Sequence, residues 1–122
     1  MENKIKIFSN EDFGFIRTTE VDSKVYFCGS DVAKALGYVR PNDAISAHCR
    51  CTVKRSIPHP QSKNKTIQML FMSEGDIYRL IASSKLSTAQ MFESWIFDEV
   101  LPIIHKTDDY AANDKIIIFV KN

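Results

Sequence analysis

The sequence has no long apolar run. No stretch approaches the ~18 consecutive apolar residues that a membrane-crossing helix needs. Its start, Met1-Glu-Asn-Lys-Ile-Lys-Ile7, alternates charged and apolar groups and lacks the apolar centre of a secretory signal. These two absences place the expected chain in a reducing cytoplasm, away from membranes. Cysteine is scarce too: Cys28, Cys49 and Cys51 are odd in number, and the last two sit too close for an ordinary disulfide framework. All three are expected as free thiols. Repeats, low-complexity tracts and a Pro/Gly-rich interdomain linker are also missing, so residues 1–122 are expected to form a single domain.

Catalytic signatures are missing as well. The chain has no Walker loop, dinucleotide-binding glycine pattern, nucleophile elbow or metalloprotease helix. Zinc wants four ligands, usually with cysteines two to four residues apart. Cys49-Arg-Cys51, with no second cysteine pair and with His48 and His59 nearby, matches poorly; no metal and no cofactor are expected. Cys28 has no acid–histidine arrangement beside it. Glu93 and Asp98 lie five apart, so they do not stack on one helix face, and with Glu99 they read as solvated charges. The expectation is a protein that is not an enzyme, with no catalytic residue.

What is present supports one packed core. Hydrophobic residues make up 44% of the chain, with eight Phe, four Tyr and one Trp, enough to bury a core in a domain of this size. The net charge of +1 hides an asymmetry. Residues 32–65 hold seven Lys or Arg (Lys34, Arg40, Arg50, Lys54, Arg55, Lys63, Lys65) against Asp43 alone, a net +6, which leaves −5 for the rest. Such a division points to a polyanionic partner for the basic part, or to a solvated basic loop.

Short strands come first: Lys4–Phe8 alternates with period two, Gly14–Val21 is β-branched and aromatic, and Val25–Cys28 follows a polar turn. Ser30 is the expected N-cap of a helix Asp31–Leu36, with Asp31 at its positive end and Gly37 closing it. Pro41 suits the first turn of a second helix reaching about Arg50. Ala44 and Ile45 would face inward, while Asn42, Ser46 and Arg50, spaced by four, would face outward. Cys51–Ile57 and Thr66–Met72 read as a second hairpin with its tip over His59–Lys65. Ser73-Glu-Gly-Asp76 opens a helix through Ile77, Leu80 and Ile81. Ser87-Thr-Ala-Gln90 has the capping-box pattern and starts the longest helix, with Ala89, Phe92, Ile96 and Val100 on one stripe, widened by Met91, Trp95 and Leu101. Pro102 should kink or end it. Lys115–Val120 reads as a last strand. The class is α+β: antiparallel β-hairpins packed with a short helix pair and a longer C-terminal helix pair. Trp95, Phe92, Ile96, Leu80, Ile81, Leu36 and Ile45 are the expected core.

Several of these stretches, taken in order, resemble one family. They are Asp12-Phe-Gly-Phe-Ile-Arg17, Asp31-Val-Ala-Lys-Ala-Leu-Gly-Tyr38, Asn42-Asp-Ala-Ile-Ser-Ala-His48, Ser73-Glu-Gly-Asp-Ile-Tyr-Arg-Leu80, Ser84-Lys-Leu86, Ala89-Gln-Met-Phe-Glu-Ser-Trp95 and Glu99-Val-Leu-Pro102. The set resembles the N-terminal domain of the Bro proteins, found in baculovirus Bro proteins and prophage antirepressors. The resemblance covers roughly residues 12–110. It implies DNA binding and phage gene regulation, hence a bacterial host cytoplasm. The chain departs from the family at His105, where Arg is usual, and at Asp108-Asp109, which replaces a glycine-containing turn. The apolar stretch 116–120 stands where a linker to a second domain is usual, so 111–122 is expected as an atypical strand or tail with no second domain after it.

Two features carry the expected interface. The helix pair 31–36 and 41–50 has the size of a helix-turn-helix, whose second helix would present Asn42, Ser46 and Arg50 to the major groove. Asn suits adenine and Arg suits guanine. The bland alternative is a structural helix pair beneath the sheet. The segment 50–65 would lay Arg50, Lys54, Arg55, Lys63 and Lys65 along phosphates, with Lys34 and Arg40 adding charge; the alternative is a plain surface hairpin. The expected partner is DNA, duplex in the first instance, with a phage or host repressor protein as a further partner. The competing function is a protein-interaction module that captures a repressor without touching DNA. An RNA-binding fragment and a nuclease are further options, although a nuclease needs clustered carboxylates near the basic segment, where Asp43 stands alone. Strand 116–120 could pair with its own sheet or with a second chain, which leaves a homodimer open.

Overall fold

The structure, a computed structural model, describes residues 5–58, 64–107 and 117–120. Strand β1 (Lys6–Asn10) turns into β2 (Gly14–Val21), which turns into β3 (Lys24–Cys28). Two short helices follow, α1 (Gly29–Ala35) and α2 (Pro41–His48). A hairpin comes next, β4 (Thr52–Pro58) and β5 (Thr66–Met72), then α3 (Glu74–Ser83). The chain continues as α4 (Ala89–Ser94), a π-helical turn (Trp95–Val100) and α5 (Leu101–Thr107), and ends in β6 (Ile117–Val120). The expected α+β class stands.

The sheet runs β4-β5-β3-β2-β1-β6. All pairs are antiparallel except β1 with β6, which are parallel. The β2–β3 turn puts Asp22 and Ser23 at positive φ, 51° and 68°. That is the twist a two-residue hairpin needs, reached here without glycine. Helices cover one sheet face. Phe8, Ile16, Val25, Phe27 and Met72 meet Val32, Leu36, Ile45, Ile77, Leu80, Phe92, Trp95 and Ile96 there. The opposite face carries a smaller cluster of Ile5, Cys28, Ile57 and Phe71.

Several local expectations need correction. Helix α1 begins at Gly29, with Cys28 at the N-cap and no side-chain capping bond. Ser30 therefore lies inside the helix; its Oγ sits 3.5 Å from Cys28 Sγ. Gly29 packs closely: a Cβ there would stand 2.8 Å from Ile45 Cδ1, so the Ile45 side chain would have to shift, and 3.3 Å from the Leu70 carbonyl. The capping box at Ser87 is not made either: Thr88 is the N-cap of α4 and bonds through no side chain. Met91, expected to widen the apolar surface, is exposed, and Ile81 is only partly buried.

Pro102 neither ends nor breaks the last helix. An α-helical proline clashes with the carbonyl four residues back and leaves that carbonyl unbonded. The π turn widens the helix just before it, so that the Leu101 N–H bonds Ile96 O, five residues back. One extra residue in the turn displaces the carbonyls that would meet the ring, and the helix runs on as α5. The widened turn begins at Trp95, which is 4% exposed. Its ring stacks on Phe13 at 6.0 Å and meets Phe92 edge-on at 6.0 Å, while Phe13 and Phe92 form a third contact at 5.3 Å.

Trp95→Ala removes the largest ring of this aromatic triangle. It should cost about 3–5 kcal/mol, a large part of the stability of so small a domain. A thermal melt checks this; a variant that melts where the parent does would show that the triangle does not hold the π turn.

Candidate nucleic-acid interface

The turn between α1 and α2 is built from backbone bonds. Gly37, at φ +82°, donates to Lys34 O, and Tyr38 N donates to Ala33 O. Only a residue tolerating the left-handed region closes a helix this way, so the expected glycine stop holds. The loop after it is pinned to α3: Tyr38 Oη donates to Leu80 O at 2.7 Å, and Ser84 Oγ donates to Leu36 O at 2.8 Å. His48, at the end of α2, lies 3.4 Å from Ser83 Oγ and faces the Tyr38 ring. The helix pair is therefore fixed to α3 at its turn and at its far end.

Helix α2 buries Ala44 and Ile45 and exposes Asn42 and Ser46, as the spacing predicts. It stops at His48, and Cys49 is extended. Arg50 is thus not on the outward helical face with Asn42 and Ser46, which is a correction to the sequence reading. Arg50 belongs to the joint leading into β4, and a residue of α3 organises that joint. Asp76 is fully buried. Its Oδ1 accepts from Arg50 N and its Oδ2 from Cys51 N, both at 2.8 Å, and Arg79 Nη1 also donates to Oδ1. A buried carboxylate is tolerable only when charge and lone pairs are answered in this way.

The β4–β5 hairpin meets the rest of the sheet through Phe27↔Met72 and Cys28↔Phe71. Side chains alternate along it, and directly paired residues share a face. Lys54 pairs with Leu70, on the helix side of the sheet, and is exposed. Arg55 pairs with Met69, on the other side, next to the second apolar cluster. Its Nε is buried with no hydrogen-bond partner among the described residues. The structure therefore separates Arg55 from Lys54. Lys34 and Lys65 are exposed, and Lys63 lies outside the described residues. Arg40 is exposed as well and reaches Asp43, Nε to Oδ2 at 2.9 Å, with side-chain exposures of 81% and 65%. Lys34, Arg40, Asn42, Ser46, Arg50 and Lys54 thus stand outward on elements that Asp76 and its neighbours lock together.

A second carboxylate works in the same manner. Asp31, expected to act on the helix end, is buried and accepts from Arg17 N, Arg17 Nε and Arg17 Nη2 at 2.9–3.0 Å. Arg17 is held by this bidentate pair and is not offered to a partner. The sequence reading missed Asp31, Asp76 and Arg79 as organising residues. The available signal was an acid within the first turn of a helix that follows directly on a strand.

Among the described residues, no group of three His, Cys, Asp or Glu could hold a metal ion. His59 lies outside the described residues. Cys49 is half-buried, and burial first, then the charge of Asp76, pushes its thiol up to about 11. Cys28 is buried, and desolvation raises its thiol likewise. Both shifts disfavour the thiolate that a nucleophile needs. A cleft of about 590 Å³ between the β2–β3 turn, the start of α3 and α5 carries Glu20 and Glu74 as well as Lys24 and His105, a balanced charge unsuited to a polyanion. No helix among the described residues is long and apolar enough to cross a membrane.

The BRO family N-terminal domain profile matches residues 15–102. An uncharacterized protein of Haemophilus influenzae is 36% identical over 114 residues, covering 90% of this chain and 55% of that protein. Two Bro-N domain-containing proteins of Invertebrate iridescent virus 6 are 28% and 24% identical. They cover 89% and 75% of this chain, but only 30% and 26% of their own length. The chain thus spans about half of the first relative and under a third of the other two. No solved structure matches the chain significantly.

Asp76→Ala leaves the N–H groups of Arg50 and Cys51 without an acceptor and should cost about 2–4 kcal/mol in urea denaturation. Hydrogen exchange at those two amides should accelerate first; unchanged exchange there would show that the joint is held by something else. The thiols give a separate check. At pH 8, iodoacetamide should label exposed Cys51 well before Cys49 or Cys28, and equal rates would contradict the burial of the latter two.

Proposed function

The chain belongs to the BRO family by its N-terminal domain, and from that premise we propose that it is a DNA-binding regulatory domain of the antirepressor type, acting on transcription. It does so as a binding module and not as an enzyme. The carrying observation is the locked frame of α1, α2 and β4, from which Lys34, Arg40, Asn42, Ser46, Arg50 and Lys54 stand outward. In this reading α2 enters the major groove of duplex DNA and Asn42 and Ser46 face base edges. Lys34, Arg40, Arg50, Lys54 and Lys65, with Lys63 by sequence, meet phosphates, which fix register and orientation without reading sequence. Because Arg50 sits beyond the helix, its role is phosphate contact and not guanine readout. Arg55 drops to a lesser part, since its Nε is buried and it lies on the other face of the sheet from Lys54. The whole of residues 1–122 serves as one such domain in the cytoplasm of a bacterial host.

Repressor capture is the second reading, and one feature favours it. Tyr78 is half-exposed and its ring stacks on that of Phe97 at 4.3 Å and 10°, which sets an aromatic face at the edge of the core. A repressor docked there would leave the basic frame unused.

Fluorescence anisotropy with duplex DNA over a salt series separates the two. If roughly five bases meet phosphates, log K should fall with log salt at a slope of about −4 to −5. Asn42→Ala should relax sequence preference at a cost of about 1–3 kcal/mol. Arg50→Ala and Lys54→Ala should instead weaken all sequences alike and lower the slope by about one unit each. No detectable duplex binding at low salt would remove the DNA reading and leave repressor capture.

A further inference from the structure

The basic segment 32–65 does not contain every cation at the interface. Arg79 lies fourteen residues beyond it, on α3, in the acidic part of the chain. The fold returns it to the basic side. Asp76 Oδ1 accepts simultaneously from Arg50 N and from Arg79 Nη1, so the guanidinium lies within two hydrogen-bond lengths of the Arg50 main chain. Two arginines far apart in sequence thus meet at one carboxylate oxygen. One is exposed at the joint, and the other is 39% exposed beside it.

The contact engages only part of the Arg79 fork. A guanidinium carries five N–H donors in a fixed plane. Among the described residues, Arg79 makes one hydrogen bond, through Nη1. Compare Arg17, whose Nε and Nη2 both go to Asp31 and whose side chain is 17% exposed. Arg17 is consumed by its carboxylate; Arg79 is held by its carboxylate and left with donors facing solvent. The negative charge of Asp76 is fully buried and already accepts two backbone N–H groups, so it orients the guanidinium without covering it.

Resting on the DNA-binding reading above, we infer that Arg79 is a further phosphate-binding residue, pairing with Arg50 across the joint to clamp one stretch of the duplex backbone. Asp76 is the positioning residue: it sets the Arg50 main chain and the Arg79 guanidinium in a fixed relation before DNA arrives. An arginine already immobilised loses less rotamer freedom on binding than a free one, and its planar fork suits the two oxygens of a phosphate.

The test compares the parent protein with Arg79→Gln and Arg79→Lys, using the same DNA duplex and salt series, with melting temperature recorded for each. A phosphate contact predicts that Arg79→Gln lowers the salt slope by about 0.9 and weakens binding several-fold at low salt. Arg79→Lys, which keeps the charge, should retain the slope. A purely structural arginine predicts lower melting temperatures for both variants with the slope untouched. A variant-free measurement covers failure to fold: phenylglyoxal modification of the unaltered protein, read by mass spectrometry with and without duplex. Arg79 and Arg50 should both be protected by DNA. If Arg79→Gln leaves the slope unchanged, or Arg79 is modified equally with and without duplex while Arg50 is protected, the inference falls and the DNA reading stands. If the parent protein binds no duplex, both fall together.

Discussion

A buried carboxylate sets the frame on which the rest depends. Asp76 brings a negative charge to a position with no exposure, where an unanswered charge would not be tolerated. Its answers are three groups from two places in the chain: the main chain of the adjacent Arg50 and Cys51, and the side chain of Arg79. Satisfying it therefore forces the end of the helix pair, the beginning of the second hairpin and the first turns of α3 to one point. Further bonds between the helix pair and the α3 region, at Tyr38, Leu36 and His48, tie the same elements together elsewhere. A hydrophobic contact could bring the same elements together but would not specify which residue of the joint faces α3.

Asp31 repeats the device at the other end of the helix pair. Strand β3 leaves the sheet after Cys28, and the N–H of Arg17 on β2 then lies past its last ladder partner. The Asp31 carboxylate supplies that acceptor and takes the Arg17 guanidinium as its counter-charge. In both places an acid in the first turn of a helix reaches out of its own helix to a strand end. The usual account, an acid stabilising the helix dipole, leaves out the partners from other elements: Arg17 for Asp31, and the main chain of Arg50 and Cys51 for Asp76, beside Arg79 of its own helix. The two carboxylates differ in what they leave over. Arg17 is enclosed, whereas Arg79 keeps donors at the surface.

Local chemistry made most of the elements legible. Period-two alternation located the strands, Gly37 and Pro41 bracketed the helix-turn, and the stripe Ala89, Phe92, Ile96, Val100 found the core helix because each signal acts within a few residues. The misses have a common cause: each depends on a partner distant in sequence. Ser30 has the residue type of a cap, but the helix starts one residue before it, at Gly29, which packs against Ile45. Pro102 is a breaker by local rules, and the π turn that accommodates it is stabilised by Trp95 packing on Phe13, eighty-two positions earlier. Arg50 has the spacing of a third outward residue on α2, but Asp76 takes its main chain. Lys54 and Arg55 are equivalent in a charge count, and only strand pairing separates their faces.

One feature of the basic surface looks self-defeating until magnitudes are considered. Asp43 is the sole acid between residues 32 and 65, and it pairs with Arg40, the cation just before α2. Both side chains are largely exposed, and an exposed ion pair of this kind is worth only about 0–1 kcal/mol. A phosphate presented to Arg40 offers a comparable charge and releases condensed counterions on binding, a gain the internal pair does not have. On the DNA-binding reading proposed above, the pair would give way to a phosphate; without one it holds Arg40 near the start of α2. The pairs formed by Asp31 and Asp76 are of another kind, because breaking them would leave a charge buried. The same residue types serve as permanent braces inside and as exchangeable placeholders outside, and burial decides which.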